Sequence, residues 1–143
     1  MSHELIFPYA NIVTGVLLFI IAFVFHWVGQ LISVVNWDFA MEIGLQEKKA
    51  LPEYKVYEHG IACADISLGW IYGIAAVGLI LNVGWAYQLA WFPAVVLIYH
   101  GLSAWFWWGN QKKAGHQIVS NRFRITWCFV NIVCGVLTVA VIW

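Results

Sequence analysis

Charge is missing from most of this chain, and positive charge is gathered into two short stretches. All seven Lys and Arg residues fall there: Lys48, Lys49 and Lys55 in one, Lys112, Lys113, Arg122 and Arg124 in the other. What lies between runs apolar for about 20 residues at a time, the length a helix needs to cross the hydrocarbon of a bilayer. The 143 residues are 63% hydrophobic and 10% charged, whereas a soluble domain carries roughly 25% charged residues. A mean hydropathy of +0.80 agrees. A water-facing surface cannot be assembled from this composition. The expected fold is therefore all-α, a polytopic membrane protein with four transmembrane helices in an up-down bundle and a single domain.

The spans are expected at about residues 5–34, 59–81, 89–108 and 123–143, joined by polar connectors at about 36–57 and 109–122 and by a short neutral hairpin. Pro8 and Pro93 suit the first turns of their helices, where a missing N–H costs nothing. No basic segment and no small-residue cleavage site accompany the first span, so it reads as an anchor and not as a removable signal. The first connector holds Asp38, Glu42, Glu47 and Glu53 beside its lysines, with Phe39, Ile43 and Leu45 interleaved. This pattern fits either a short amphipathic helix at headgroup level, ended near Pro52, or a solvated loop. Trp37, Tyr54 and Tyr57 read as interfacial anchors, as do Trp85 and Tyr87 in the uncharged hairpin NVGWAYQ.

Within the spans, polar and small residues follow the helical period. Asn11, Gly15, Leu18, Ala22, His26, Gly29 and Ser33 form one stripe of the first span, and Arg124, Cys128, Asn131, Gly135 and Thr138 one stripe of the fourth. Such seams are where membrane helices approach closely. The most demanding position is Asp65, in EHGIACADISLGWIYG, about 10 Å beyond the polar boundary at 1.5 Å per residue. An Asp at the centre of a membrane helix costs about 2.5 to 3.5 kcal/mol, so it should face protein or water and not lipid. Gly69 and Gly73 follow it at i+4 spacing on the same face.

Because the cations share one side, the positive-inside rule puts both connectors in the cytoplasm and both termini outside, the tail with His3 and Glu4 being easily translocated. A plasma (inner) membrane location is expected. Depths can then be compared between helices. His26, Asp65 and His100 converge on one layer of the cytoplasmic half, near Cys63 and Cys128, with Glu58 and His59 at its rim. Asp65 with His100 is the leading pair for taking and releasing a proton. Asn131 is a neutral partner, and Arg124 at the inner rim suits an anion or a lipid phosphate.

Three functional classes fit these residues. The first is a transport-type protein handling protons, ions or a small ligand through Asp65, His100, His26, Asn131, Glu58, His59 and Arg124, probing a pathway that implies a homo-oligomer or a membrane-complex partner. The second is a non-catalytic complex subunit or lipid-binding scaffold whose polar seam fixes helix register. The third is a redox subunit holding haem b or quinone, with His26 and His100 as the two axial ligands. No HExxH, Walker loop, CxxC or Arg-rich sensor repeat is present, which leans away from an enzyme. No other metal site and no nucleic-acid partner are expected. Cys63, Cys128 and Cys134 read as apolar thiols. The ten tryptophans exceed what an interfacial belt needs; Trp70, Trp91 and Trp127, inside the spans, suit either lipid packing or the wall of an aromatic cavity.

Overall fold

A computed structural model describes residues 7–47, 52–116 and 118–143. The tail residues His3 and Glu4, the expected start of the first span at Leu5, and Lys48 and Lys49 lie outside the described residues. Everything regular in the described residues is helical: α1 (Ala10–Val35), α2 (Trp37–Glu42), α3 (Pro52–Leu68), α4 (Trp70–Ile80), α5 (Gly84–Leu89), α6 (Trp91–Lys113) and α7 (Asn121–Ile142). Three stretches, Ala10–Val35, Gly84–Lys113 and Asn121–Ile142, are long and apolar enough to cross a membrane. The bent pair α3 and α4 makes a fourth if it is taken as one span.

The outward faces are apolar. Ile12 and Val16 on α1, Val95 and Leu102 on α6, and Phe129 and Val136 on α7 are all exposed. The inward faces carry the small and polar residues instead, and every member of the α1 stripe, from Asn11 to Ser33, is buried. Cys128, Asn131, Gly135 and Thr138 on α7 are buried as well. This reversal of the soluble pattern is what a lipid-facing exterior requires.

Close backbone approach holds the helices in two pairs. Gly135 of α7 sits where an added Cβ would lie 2.7 Å from the Ala94 carbonyl oxygen of α6, and Gly101 of α6 faces the Cys128 carbonyl in the same way at 3.1 Å. On the other side, Gly15 of α1 meets the Ala76 carbonyl of α4 at 2.7 Å. The stripe below Asp65 is used likewise: Gly69 accepts the Trp27 indole of α1 and Gly73 the Phe23 ring. Asn11 Nδ2 donates to the Leu79 carbonyl (3.0 Å), adding a polar clasp to the α1–α4 contact.

Two helices depart from regular geometry near the inner seam. Phe19–Val28 of α1 is π-helical, its end marked by the Gly29 N–H reaching the Val24 carbonyl five residues back. Such wide turns are rare and often accompany functional sites. At Gly69, α3 and α4 meet at 41°. A glycine kink leaves carbonyls without their ladder partners. Here indoles supply the donors: Trp27 Nε1 donates to Ile66 O (3.0 Å) and Trp70 Nε1 to Ser67 O (3.0 Å).

The connectors correct two boundaries. Pro52 does not end the amphipathic helix but opens α3, so helix begins seven residues before the expected span; a proline fits a first turn as readily as it stops a preceding one. The amphipathic helix is the short α2, capped by the Asn36 side chain, which accepts from Phe39 N–H (3.0 Å). After it the chain folds back onto α1. Gln46 Nε2 donates to Ser33 Oγ (3.1 Å), which itself donates to the Gly29 carbonyl (2.9 Å). At the other end, α1 begins at Ala10, because Tyr9 takes a left-handed conformation (φ 63°) that a helix cannot continue.

Candidate functional site

Four side chains from three helices meet where the two helix pairs face each other. His26, carried by the π-helical part of α1, places Nε2 2.6 Å from Asn131 Oδ1 of α7. Asn131 in turn donates from Nδ2 to the Trp127 carbonyl (2.8 Å). The Trp127 indole donates from Nε1 to His100 Nε2 of α6 (3.2 Å). The two imidazoles touch edge to face, with ring centroids 4.3 Å apart and planes at 90°.

Donor and acceptor inventories set the protons. Because the Asn131 amide nitrogen is used on the Trp127 carbonyl, its oxygen faces His26, and His26 Nε2 must be the donor. An indole N–H only donates, so His100 Nε2 is unprotonated and its hydrogen is on Nδ1. The histidines are thus held in opposite tautomers by neighbours on one helix. Asn131 is fully buried, and a buried amide left without partners costs about 1–3 kcal/mol.

Beside this quartet a cavity of about 790 Å³ extends toward the connectors. All the long helices contribute to its wall, together with Gly44 to Glu47 of the first connector and Val119 and Ser120 of the second. His26, His100 and Trp127 border it, and so do the carboxylates Glu47, Glu58 and Asp65. Glu47 accepts from the Tyr54 hydroxyl (2.9 Å). Tyr54 also stacks on Trp107 at 5.7 Å, with Tyr57 against the other side of the same cluster at 6.1 Å. Two polar atoms of wall residues, Gln30 Oε1 and Trp107 Nε1, are buried without a hydrogen-bond partner.

Of the residues singled out in the sequence, His26, Glu58, Asp65 and His100 border the cavity, and Asn131 lies directly behind it through His26. Asp65 and His100 share the wall but form no hydrogen bond; His100 is engaged by Trp127 and His26 instead. His59 and Arg124 belong elsewhere. His59 is exposed, its Nδ1 3.8 Å from Cys63 Sγ one turn on. Arg124 donates from Nη2 to the Trp105 carbonyl (2.7 Å) and lies over that indole at 4.0 Å. It borders a separate basic recess with Lys112 and Lys113. Haem ligation by His26 and His100 does not fit the arrangement, since rings in contact leave no space for a porphyrin between them and both Nε2 atoms are engaged. Among the described residues no group of three or more His, Cys, Asp or Glu side chains is placed to hold a metal ion.

Sequence reasoning missed the part played by Trp107, Tyr54, Gln30 and Glu47, and left Trp127 open between cavity wall and lipid packing. For Trp127 the available signal is its place one turn before Asn131, beside the inward stripe. Nothing in the sequence marks the connector residues. Trp70 and Trp91 are exposed, the latter against Trp143 at 6.0 Å. The three cysteines are free, Cys128 and Cys134 buried and Cys63 partly so.

No family model, no curated protein and no solved structure matches this chain.

Proposed function

We propose that this is a small integral membrane protein of transport type, whose working site is the cavity beside His26 and His100. In this reading the bent pair α3 and α4 crosses as one span, giving four spans in an up-down bundle. The positive-inside rule then puts both connectors and the cavity mouth in the cytoplasm of a plasma (inner) membrane, with the termini opposite. One observation carries the proposal: an open-mouthed cavity of about 790 Å³ where the long helices meet the connectors, bordered by two histidines and by the carboxylates of Glu58 and Asp65. Ionisable groups at membrane depth are costly and mark pathways for ions, protons or substrates. Ligand sites generally combine an apolar wall with a few convergent polar groups, which this wall resembles.

The residues divide by role. The His26–Asn131 and Trp127–His100 bonds engage both Nε2 atoms of the inner quartet, so its task is to hold α1, α6 and α7 in register. Asp65 has no protein partner among the described residues and is the group that exchanges with whatever enters. The amount of chain available, four spans, favours a homo-oligomer or a complex partner for a complete pathway across the bilayer.

The test is flux in proteoliposomes of purified protein, with an internal pH-sensitive dye and mass spectrometry of co-purified small molecules. Wild-type protein should carry protons or the co-purified ligand across the membrane. Asp65→Asn should keep its helical circular dichroism and lose most of that flux. Unchanged flux in the variant would remove the proposal.

A packing role for the entire seam is the second reading, favoured by the hydrogen bonds that link the inner quartet across α1, α6 and α7. It expects Asn131 and Asp65 substitutions to change assembly or thermal stability, with no flux in the wild type.

A further inference from the structure

The cavity wall is sorted by charge. Among the described residues it holds three carboxylates, those of Glu47, Glu58 and Asp65, and neither lysine nor arginine. Three described cations are engaged elsewhere: Lys55 over the Trp37 ring at 5.6 Å, Lys112 on Asn121 Oδ1 at 3.3 Å, and Arg124 on Trp105. No ion pair among the described residues involves the three carboxylates. Glu47 has a tyrosine hydroxyl for a partner, and a hydroxyl does not neutralise it. Among the described residues, then, three partly buried acids border one recess without a counter-charge.

The rest of the wall says what kind of counter-charge fits. Aromatic faces make up much of it: Tyr54 and Tyr57 pack on Trp107, Tyr54 also donating to Glu47, and Phe123 stacks on Trp127. Aromatic faces attract cations through their quadrupole, the more so when water is excluded. A bare metal ion would need several oxygen or nitrogen ligands converging within about 2–2.6 Å, and no such convergence exists among the described residues. The volume, about 790 Å³, instead falls in the range of roughly 300–1,000 Å³ typical for drug-sized molecules. Gln30 Oε1, buried without a donor, adds a neutral acceptor to the same wall.

We infer that the cavity is a binding site for a lipophilic organic cation, a molecule that places apolar or aromatic groups against the tyrosine and tryptophan faces and its positive charge toward Asp65 and Glu58. This inference rests on the cavity being the working site and names the chemical class it takes.

Two probes of the same shape and opposite charge test it: tetraphenylphosphonium and tetraphenylborate. Binding is read by equilibrium dialysis on the purified full chain in nanodiscs of neutral phosphatidylcholine, with tryptophan fluorescence followed in parallel. Tetraphenylphosphonium should bind saturably and quench the tryptophans, whereas tetraphenylborate, measured in separate samples, should not bind saturably. Asp65→Asn and Glu58→Gln should each weaken it about tenfold, and the pair of changes together more. Circular dichroism and size-exclusion profiles unchanged from wild type show that a variant is folded, and Glu58→Gln at the rim gives an independent reading should Asp65→Asn fail to fold. Equal binding of both probes, or wild-type affinity in folded carboxamide variants, would overturn the inference. Failure of the functional reading looks different. Should tetraphenylphosphonium fail to bind while a neutral ligand co-purifies with wild type and is lost in Asp65→Asn, the cation is refuted and the working site stands. Should neither probe bind and flux be absent, both are refuted.

Discussion

Asn131 is the residue on which the inner seam turns. It is fully buried and holds His26 through Oδ1 while its amide is spent on its own helix. Asn131→Leu keeps the branched outline of the side chain but is bulkier and leaves the His26 N–H without an acceptor, so the lost acceptor should cost about 1–3 kcal/mol and the overpacking adds to it. The measurement is thermal unfolding of purified protein in detergent, and an unchanged midpoint would count against the network. Trp127→Phe is the milder case. It keeps an aromatic ring beside Phe123, removes the donor to His100 and trims the indole where it meets His26. Interhelical hydrogen bonds in membranes average about 0.6 kcal/mol, so a drop of that order is expected, smaller than the one for Asn131→Leu.

At the scale of elements, glycine decides which helices pair. Gly135 of α7 lies against backbone, the Ala94 carbonyl, and backbone cannot swing aside as a side chain can. Gly135→Val should therefore push α6 and α7 apart and lower the unfolding midpoint by several degrees or abolish folding. Gly60 provides the matched contrast. It is helical and exposed, with nothing within 4 Å of an added Cβ. Gly60→Ala should be neutral or raise stability by up to about 1 kcal/mol, the helix-propensity gain of alanine. Should both substitutions behave alike, close backbone approach would not be what holds the α6–α7 pair. The bend at Gly69 is of the same kind: the indole of α1 fills the space a side chain would take and donates to the carbonyl freed at the kink.

For the whole molecule the governing quantity is the asymmetry of charge between the two membrane faces. Single cysteines at Lys113 and at Gln88, introduced after Cys63, Cys128 and Cys134 are replaced, should react differently with an impermeant maleimide in intact cells. Position 88, in the uncharged hairpin, should label from outside, and position 113 only after permeabilisation. The reverse pattern would invert the proposed orientation and put the cavity mouth on the outer face.

Much of this was legible in the residues themselves. Apolar runs bounded by charge imply membrane-crossing helices, because backbone groups in hydrocarbon must bond within their own segment. The inward stripes of α1 and α7 followed from periodicity alone, since a 3.6-residue turn assigns each side chain to a face, and Asp65 was recognisable because its solvation demand is local to one residue. Depth along a helix could also be counted, which is why His26, Asp65 and His100 were grouped. Contact could not. Whether His100 meets Asp65, His26 or Trp127 depends on how helices rotate and cross, and that is set by distant glycine-to-backbone approaches acting together. The partnership of His26 with Asn131, 105 residues away, and the folding of Glu47 and Tyr54 over the cavity mouth belong to the tertiary structure, where packing alone decides which faces become neighbours.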